Sequence, residues 1–453
     1  MLHRLTLPAI IILMILSMPS VQGMFLPNPL FDAPSYRDRL EEGPYWRESI
    51  GFDVTPRKHE RSISDIVCTI NGDLLLVGSD AFYQGHTDSG ELVYSRHGYI
   101  SKMTKDGELV WDILIDDDLE FYDCEEMDDG TYLILGRDIE NIDKRVVVLY
   151  AFDGNGTVIW KRAIESETDD SVFSMVKDGD DNVYLAGVSD TNYGYDGLLM
   201  KLDSEGNLIW KNTFDDGKHE MFTNISITDD GDLVLIGTKK WLEFLPSTIP
   251  HYSHVLVVSY DAKGELKWVL SQGVGSDYAV PTGFLIDSNG TIAITGYVSI
   301  NREKHDILSM LVDLDGNIVD CESYPGIYEY DDYGYDIIQI DQGDLVVFGE
   351  SYNIISNENN PSVLWWYVSD TFYSIIDGNG KIEVVSKVYG DNLPSSQYKT
   401  TYHSSCIAKD GSIFIVISSF ADYEVFNVIP LGESIIMLRR ITHQEFPSNR
   451  VSI

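Results

Sequence analysis

The chain is poor in positive charge. Only 32 Lys and Arg stand against 73 Asp and Glu in 453 residues, a formal net charge of −41. Binding to a phosphate backbone needs clustered Lys and Arg that release counterions, so nucleic acid is set aside as a partner. Such a surface attracts metal cations or basic partners, or simply holds water and keeps the chain soluble. Long apolar runs are missing too, with one exception: "LPAIIILMILSM" follows Arg4 and leads into "PSVQG". A basic start, an apolar core too short to span a bilayer comfortably and small residues before Gly23 predict an export signal, 1–23. No Cys follows that point to mark a lipid anchor, and no later stretch resembles a membrane span. The expected mature chain carries −42 after loss of Arg4; it is secreted, periplasmic or at the cell surface.

Catalytic signatures are equally scarce. His251 and His254 give an HxxH in a loop rather than a helical HExxH, and "HSSC" at His403 to Cys406 has no identifiable third member. No phosphate-cradling glycine loop and no serine elbow is present. The four cysteines, Cys68, Cys124, Cys321 and Cys406, allow three full pairings in an oxidising compartment. A Cys68–Cys406 bridge would staple the first repeat to the last; buried free thiols are the alternative.

What is abundant is repetition. A glycine ends each "YLAG"-type run at Gly78, Gly136, Gly187, Gly237, Gly296 and Gly349, spaced 50 to 59 residues apart. Six positions before each lies a turn, at Gly72, Gly130, Asp181, Gly231, Gly290 and Gly343. A seventh copy has its turn at Gly411 and lacks the second glycine. Within the third unit "SVFSMVK" alternates, "DGDD" turns, "NVYLAG" and "GLLMKL" run apolar, "DSEG" turns and "NLIWKNTF" alternates again. Short β-rich segments between Asp, Asn and Gly are strands and hairpins, and no 3.6-residue periodicity is sustained after the leader. Each unit is therefore four antiparallel strands, A to D. Seven such units predict an all-β, seven-bladed β-propeller over 44–443, with a 24–43 extension before it and a 444–453 tail after it.

The stretch "DSEGNLIW" at Asp203 to Trp210 recurs at 153, 261 and 105. Its Asp and Gly suit a C–D turn, and its Trp can fill the gap between blades. The tryptophan position holds Trp111, Trp160, Trp210 and Trp268, then Asp320 and Val384. A similar segment around Trp46 precedes the first unit, so an N-terminal strand is expected to complete the last blade and close the ring. On these motifs the units resemble the β-propeller repeats of bacterial and archaeal exported proteins and, more distantly, the tryptophan-docking repeats of pyrroloquinoline-quinone propellers. The step from Asp203 to Gly206 is three residues where the quinoprotein pattern has four, and the adjacent-cysteine pair of quinone dehydrogenases is missing, so the resemblance does not carry quinone chemistry over.

Alternating strand direction puts the tight A–B and C–D turns on one face and the long B–C and D–A loops on the other, where recognition is expected. On the A strands Asp65, Asp123, Ser174, Asn224, Gly283, Asp336 and Ser404 occupy one position, a polar ring facing a central channel; Asp65, Asp123, Asn224 and Asp336 are its candidate binding residues. Tyr83, Trp241, Tyr330, Tyr333, Trp365 and Trp366 are candidate loop-face platforms. Acidic D–A loops, with Asp331 and Asp332 the candidate ligands, suit calcium. Sequons fall at Asn155, Asn224 and Asn289. The expectation is a monomeric, non-enzymatic exported protein that binds a protein or polysaccharide, with Ca2+ as a candidate cofactor. The alternative is a carbohydrate hydrolase or lyase using paired carboxylates such as Asp332 and Asp336.

Overall fold

A computed structural model describes residues 59–86, 92–139, 146–164, 169–191, 194–241, 252–274, 278–300, 304–328, 330–340, 343–355, 366–377, 380–387, 398–421 and 433–441. These residues are all β, with no helix among them. The leader, the 24–43 extension and the expected closing strand around Trp46 lie outside the described residues, as does the 444–453 tail.

The third to sixth repeat units are separate four-stranded antiparallel sheets, each a meander in chain order. The first two merge, because Leu109–Glu126 is one 18-residue strand. Its first half pairs with Leu92–Met103 and its second half with Tyr132–Asp138. It is thus strand D of one unit and strand A of the next. The last unit contributes three described strands, Tyr398–Ile407, Ile413–Ala421 and Glu433–Ile441.

The turns explain the recurring glycines. All seven A–B turns carry one residue with φ between 59° and 84°, and Asp181 is the one non-glycine among them. The C–D turn is held by its first residue. Asp203 Oδ1 accepts the N–H of Glu205 at 3.1 Å and of Asn207 at 2.8 Å, while Gly206 N donates to Asp203 O at 2.9 Å and φ there is +79°. Only glycine adopts that conformation without steric cost.

The B-strand glycines answer a different demand. Each A strand carries a one-residue bulge opposite them, as between Val172 and Ser174. The bulge drives the A-strand backbone so close that a Cβ on Gly187 would sit 2.0 Å from Ser171 O; at Gly78 the distance is 1.9 Å and at Gly237 1.8 Å.

Hydrophobic cores lie between consecutive sheets rather than within one. Leu185 and Met200 pack with Leu133 and Leu149 of the preceding unit, and Tyr184 and Leu199 pack with Leu235 and Val258 of the following one. Leu74, Leu76 and Tyr99 of the first unit pack with Phe414 and Val416 of the last. Cys68 and Cys406 join in a disulfide across the same junction, their Cα atoms 5.8 Å apart and 338 residues distant in sequence. In loop-entropy terms a closure of that length stabilises by about 6 kcal/mol. Cys124 and Cys321 are free thiols.

Each tryptophan of the repeat docks on the C–D turn of the next sheet. A Cβ on Gly206 would come within 2.8 Å of the Trp160 ring, and one on Gly316 within 2.8 Å of Trp268. Trp111 Nε1 donates to Gly154 O at 3.1 Å and Trp268 Nε1 to Leu314 O at 2.8 Å. The rings remain half-exposed, so they cap the gap between sheets rather than fill its core.

Two substitutions check this account. Gly187→Ala is expected to lower stability by more than about 2 kcal/mol, whereas Gly179→Ala, with nothing within 4 Å of its Cβ, stays within about 0.5 kcal/mol in denaturant titrations. Trp210→Ala should cost about 3 kcal/mol, the low end of the range for a large aromatic because its ring is half-exposed.

Candidate functional site

The bulge that demands the B-strand glycine also fixes the register of the polar positions on the A strands. Asp65, Asp123, Ser174, Asn224, Gly283, Asp336 and Ser404 each immediately follow the bulged residue of their A strand. The structure therefore places all seven at one register. The A strands neighbour one another in order, and the first contacts the last.

Several ring residues hydrogen-bond across the junction to the next unit. Asp65 Oδ2 accepts the Cys124 N–H at 3.3 Å, and Asp123 Oδ2 accepts the Met175 N–H at 2.7 Å. Asp336 Oδ2 accepts Ser405 Oγ and Tyr402 OH, both at 2.7 Å. Ser404 Oγ donates to Asp65 Oδ1 at 3.0 Å, linking last unit to first. Gly283 is side-chainless because a Cβ would meet Tyr335 O at 2.6 Å, and there Thr282 Oγ1 makes the junction bond, to Gly334 O at 2.7 Å.

Crowding carboxylates in a narrow space alters their protonation. Burial, then the neighbouring Asp65, pushes Asp123 well above the usual carboxylate range. The same two causes raise Glu125 to about 7, and burial raises Asp336. The Cys124 thiol, buried and facing Asp65, is also pushed up, so it is a poor nucleophile. "HSSC" holds no nucleophile either, since Cys406 is in the disulfide, and burial lowers His403 to about 4.

A second constellation lies at the loop-face end of the fifth and sixth sheets. His305 stacks on Tyr333 with centroids 5.1 Å apart, and Tyr297 meets Tyr333 edge-on at 4.9 Å. Tyr352 meets the same ring at 5.6 Å. Tyr335 stacks beyond Tyr333 at 6.3 Å and on Tyr402 at 6.2 Å, so a line of rings runs from the loop face to Asp336. His305 is held on both sides: Nδ1 lies 2.8 Å from Asp331 Oδ1 and 3.1 Å from Tyr333 OH, while Nε2 hydrogen-bonds Tyr278 OH. Tyr352 OH donates to Glu350 Oε2 at 2.6 Å, and Glu350 Oε1 accepts the Tyr402 N–H at 2.8 Å. Burial raises the phenol pKa of Tyr297 to about 12 and that of Tyr335 well above the ordinary value, with Glu350 adding to the latter. The cluster's rings are half-exposed.

Of the residues expected from sequence, Tyr333 belongs to this cluster, and Asp331 carries its histidine. Tyr330 is 40% exposed nearby. Asp332 is fully buried: Oδ2 accepts the Gly326 N–H at 2.8 Å, Oδ1 accepts Ser351 Oγ, and burial raises its pKa to about 6. It anchors the 324–331 connection and shares no hydrogen-bond partner with Asp336. Tyr83, Trp241 and Trp366 lie on strands whose backbones pair with Tyr94, Tyr252 and Ile355; their side chains, and Trp365 altogether, lie outside the described residues. Asn155 and Asn289 sit in exposed turns, and Asn224 lies within a strand. Sequence reasoning passed over Tyr278, Tyr297, His305, Tyr335, Tyr352 and Glu350. The "YGY" at 333 to 335 was the one local signal for them.

Where the repeat places Asp320 instead of tryptophan, a cleft of about 580 Å³ opens, lined by Asp320, Glu322, Tyr324, Ile327, Lys381 and Ile382.

Four-stranded antiparallel sheets set side by side around their first strands define the β-propeller repeat class. No family model and no curated protein matches the chain. Among solved structures it is similar to an ulvan lyase of polysaccharide lyase family PL25, with a TM-score of 0.48 and 10% identity over 81% of this chain and 90% of that one. It is also similar to Sqt1 from Chaetomium thermophilum, with a TM-score of 0.46 and 11% identity over 86% and 90%. The Pan2 WD40 domain of Neurospora crassa gives a TM-score of 0.45 and 10% identity over 90% and 95%. No helix of the described residues is long and apolar enough to cross a membrane.

The raised Glu125 pKa sets a pH dependence. Folding lifts it from the ordinary 4.5 to about 7, so the folded chain holds an extra proton in that window. Its contribution is fully present below about pH 4.5 and is lost as pH rises through about 7. Glu125→Gln should therefore flatten the decline in denaturation midpoint between about pH 5 and about pH 8, relative to the wild type.

Proposed function

We propose that the chain is an exported, monomeric seven-bladed propeller, its last blade completed by the strand around Trp46, that recognises a polysaccharide or protein through the long-loop face. The observation that carries this reading is the half-exposed group of Tyr278, Tyr297, His305, Tyr333 and Tyr352 at that face. Aromatic faces beside hydrogen-bonding carboxylates suit sugar rings, which offer apolar C–H faces and hydroxyl edges. The channel carboxylates support a scaffold role instead, because their oxygens are engaged in bonds between sheets. The disulfide and the leader-like N-terminus support export.

One observation favours a second reading, a lyase. Asp331, His305 and Tyr278 form a hydrogen-bonded relay in which a carboxylate orients an imidazole whose other nitrogen contacts a phenol. That is the pattern of a general base poised on an acidic O–H. The Asp332 and Asp336 pair lacks comparable support, since Asp332 is occupied by loop contacts.

A glycan and protein array separates the outcomes. Binding by the wild type should weaken roughly tenfold in Tyr333→Ala and persist in Glu205→Ala on the opposite face. Equal binding by wild type and Tyr333→Ala would overturn this surface as the recognition site. Cleavage of a bound polysaccharide that leaves an unsaturated sugar end and disappears in His305→Ala would establish the lyase reading.

A further inference from the structure

Asp196, Asp215 and Glu220 meet where the third sheet gives way to the fourth. Asp196 lies on strand Gly194–Leu202, Asp215 just beyond strand Leu208–Phe214, and Glu220 on strand His219–Ile227. Gly197 pairs with Phe214, so the next rung sets Asp196 beside Asp215. Like charges facing one another on adjacent strands oppose folding. Glu220 enters from the neighbouring sheet with 0% exposure, and among the described residues no N–H or hydroxyl donates to its carboxylate oxygens. Burial and the Asp216 carboxylate beside it raise its pKa to about 8, so without a cation it is a proton shared with Asp216 that relieves it. One oxygen from each of the three acids lies within 4.8 Å of the others. Lys239, opposite Glu220 across the strand pair, gives its ammonium to Asp216. His219 is turned to the Tyr195 N–H, which its Nδ1 accepts at 3.2 Å.

A buried carboxyl beside Asp196, Asp215 and Asp216, relieved by a proton alone, is an arrangement in which a bound cation would take that proton's place. We propose that Asp196, Asp215 and Glu220 form a calcium site that clamps the third sheet to the fourth at the loop-face end. Two oxygens on one calcium ion, each at about 2.3–2.6 Å, can stand up to roughly 5 Å apart, which accommodates the observed spacing. The all-oxygen donor set suits a hard cation and not zinc. Asp215 Oδ1 also accepts the Gly217 N–H at 2.7 Å, which orders the connection carrying it. Water and backbone carbonyls would complete the coordination. The site stands independently of what the loop face recognises.

The test is calorimetric titration of CaCl2 into the chelator-treated full chain, with thermal melts in parallel. The wild type should bind an ion saturably and melt higher with calcium. Glu220→Gln and Asp215→Asn should each weaken that binding at least about fivefold, since affinity follows the charge of the ligand set. Both variants should melt no lower than the wild type in the absence of calcium, since Asp215→Asn removes a charge from the acidic group and Glu220→Gln resembles the protonated acid that burial favours there. If Glu220→Gln does not fold, Asp215→Asn, at an exposed position, decides alone. No saturable binding by the wild type, or a smaller loss of affinity in every variant that folds, overturns the site.

Discussion

The contact on which the structure depends is the near collision between a B-strand glycine and the carbonyl of the A strand beside it. At Gly187 the gap admits a hydrogen and nothing larger. The bulge that creates it inserts a residue into each A strand, and the residue after the bulge falls at the same register in every unit. Because the bulge also interrupts the ladder, a backbone N–H becomes available for the neighbouring unit's carboxylate, as Met175 is for Asp123. One backbone irregularity thus fixes a side-chain requirement on one strand, a polar residue on the other and the seam between sheets.

The tryptophan and the C–D turn form a second, outer seam. The turn's Asp organises its own backbone and the turn's glycine offers a flat bed for the preceding sheet's indole. Where Asp320 takes the tryptophan's place its short carboxylate lies against Gly380 of that turn but fills less of the gap, and the cleft between the fifth and sixth units follows. The aromatic and histidine cluster is built between the same two sheets, at the loop-face end. This junction differs chemically from the four whose outer seam is closed by an indole.

What the sequence made legible was local. Asp203 and Gly206, or Gly187 six residues past Asp181, are near in the chain and constrained by backbone geometry that one residue type satisfies, so periodic spacing exposes them. The ring of Asp65, Asp123 and Asp336 was legible for the same reason, although its bonds to the next sheet were not. The cluster around Tyr333 was not legible, because Tyr278, His305 and Tyr352 come from three separate segments on two sheets and share no spacing. Asp332 illustrates the converse: adjacent acids in "YDDYGYD" read alike, yet Asp331 holds a histidine while Asp332 is sealed under its own loop. The Cys68–Cys406 link lay among several allowed pairings, and only the adjacency of the first and last A strands selects it.

That link has a consequence for resistance to cleavage. The longer connections lie on one face, and a protease meets them first. With the first and last sheets tied covalently, a single backbone cut anywhere between Cys68 and Cys406 leaves both halves in one molecule, each still pressed on two neighbours. Shedding a fragment takes two cuts, or one cut and a reductant.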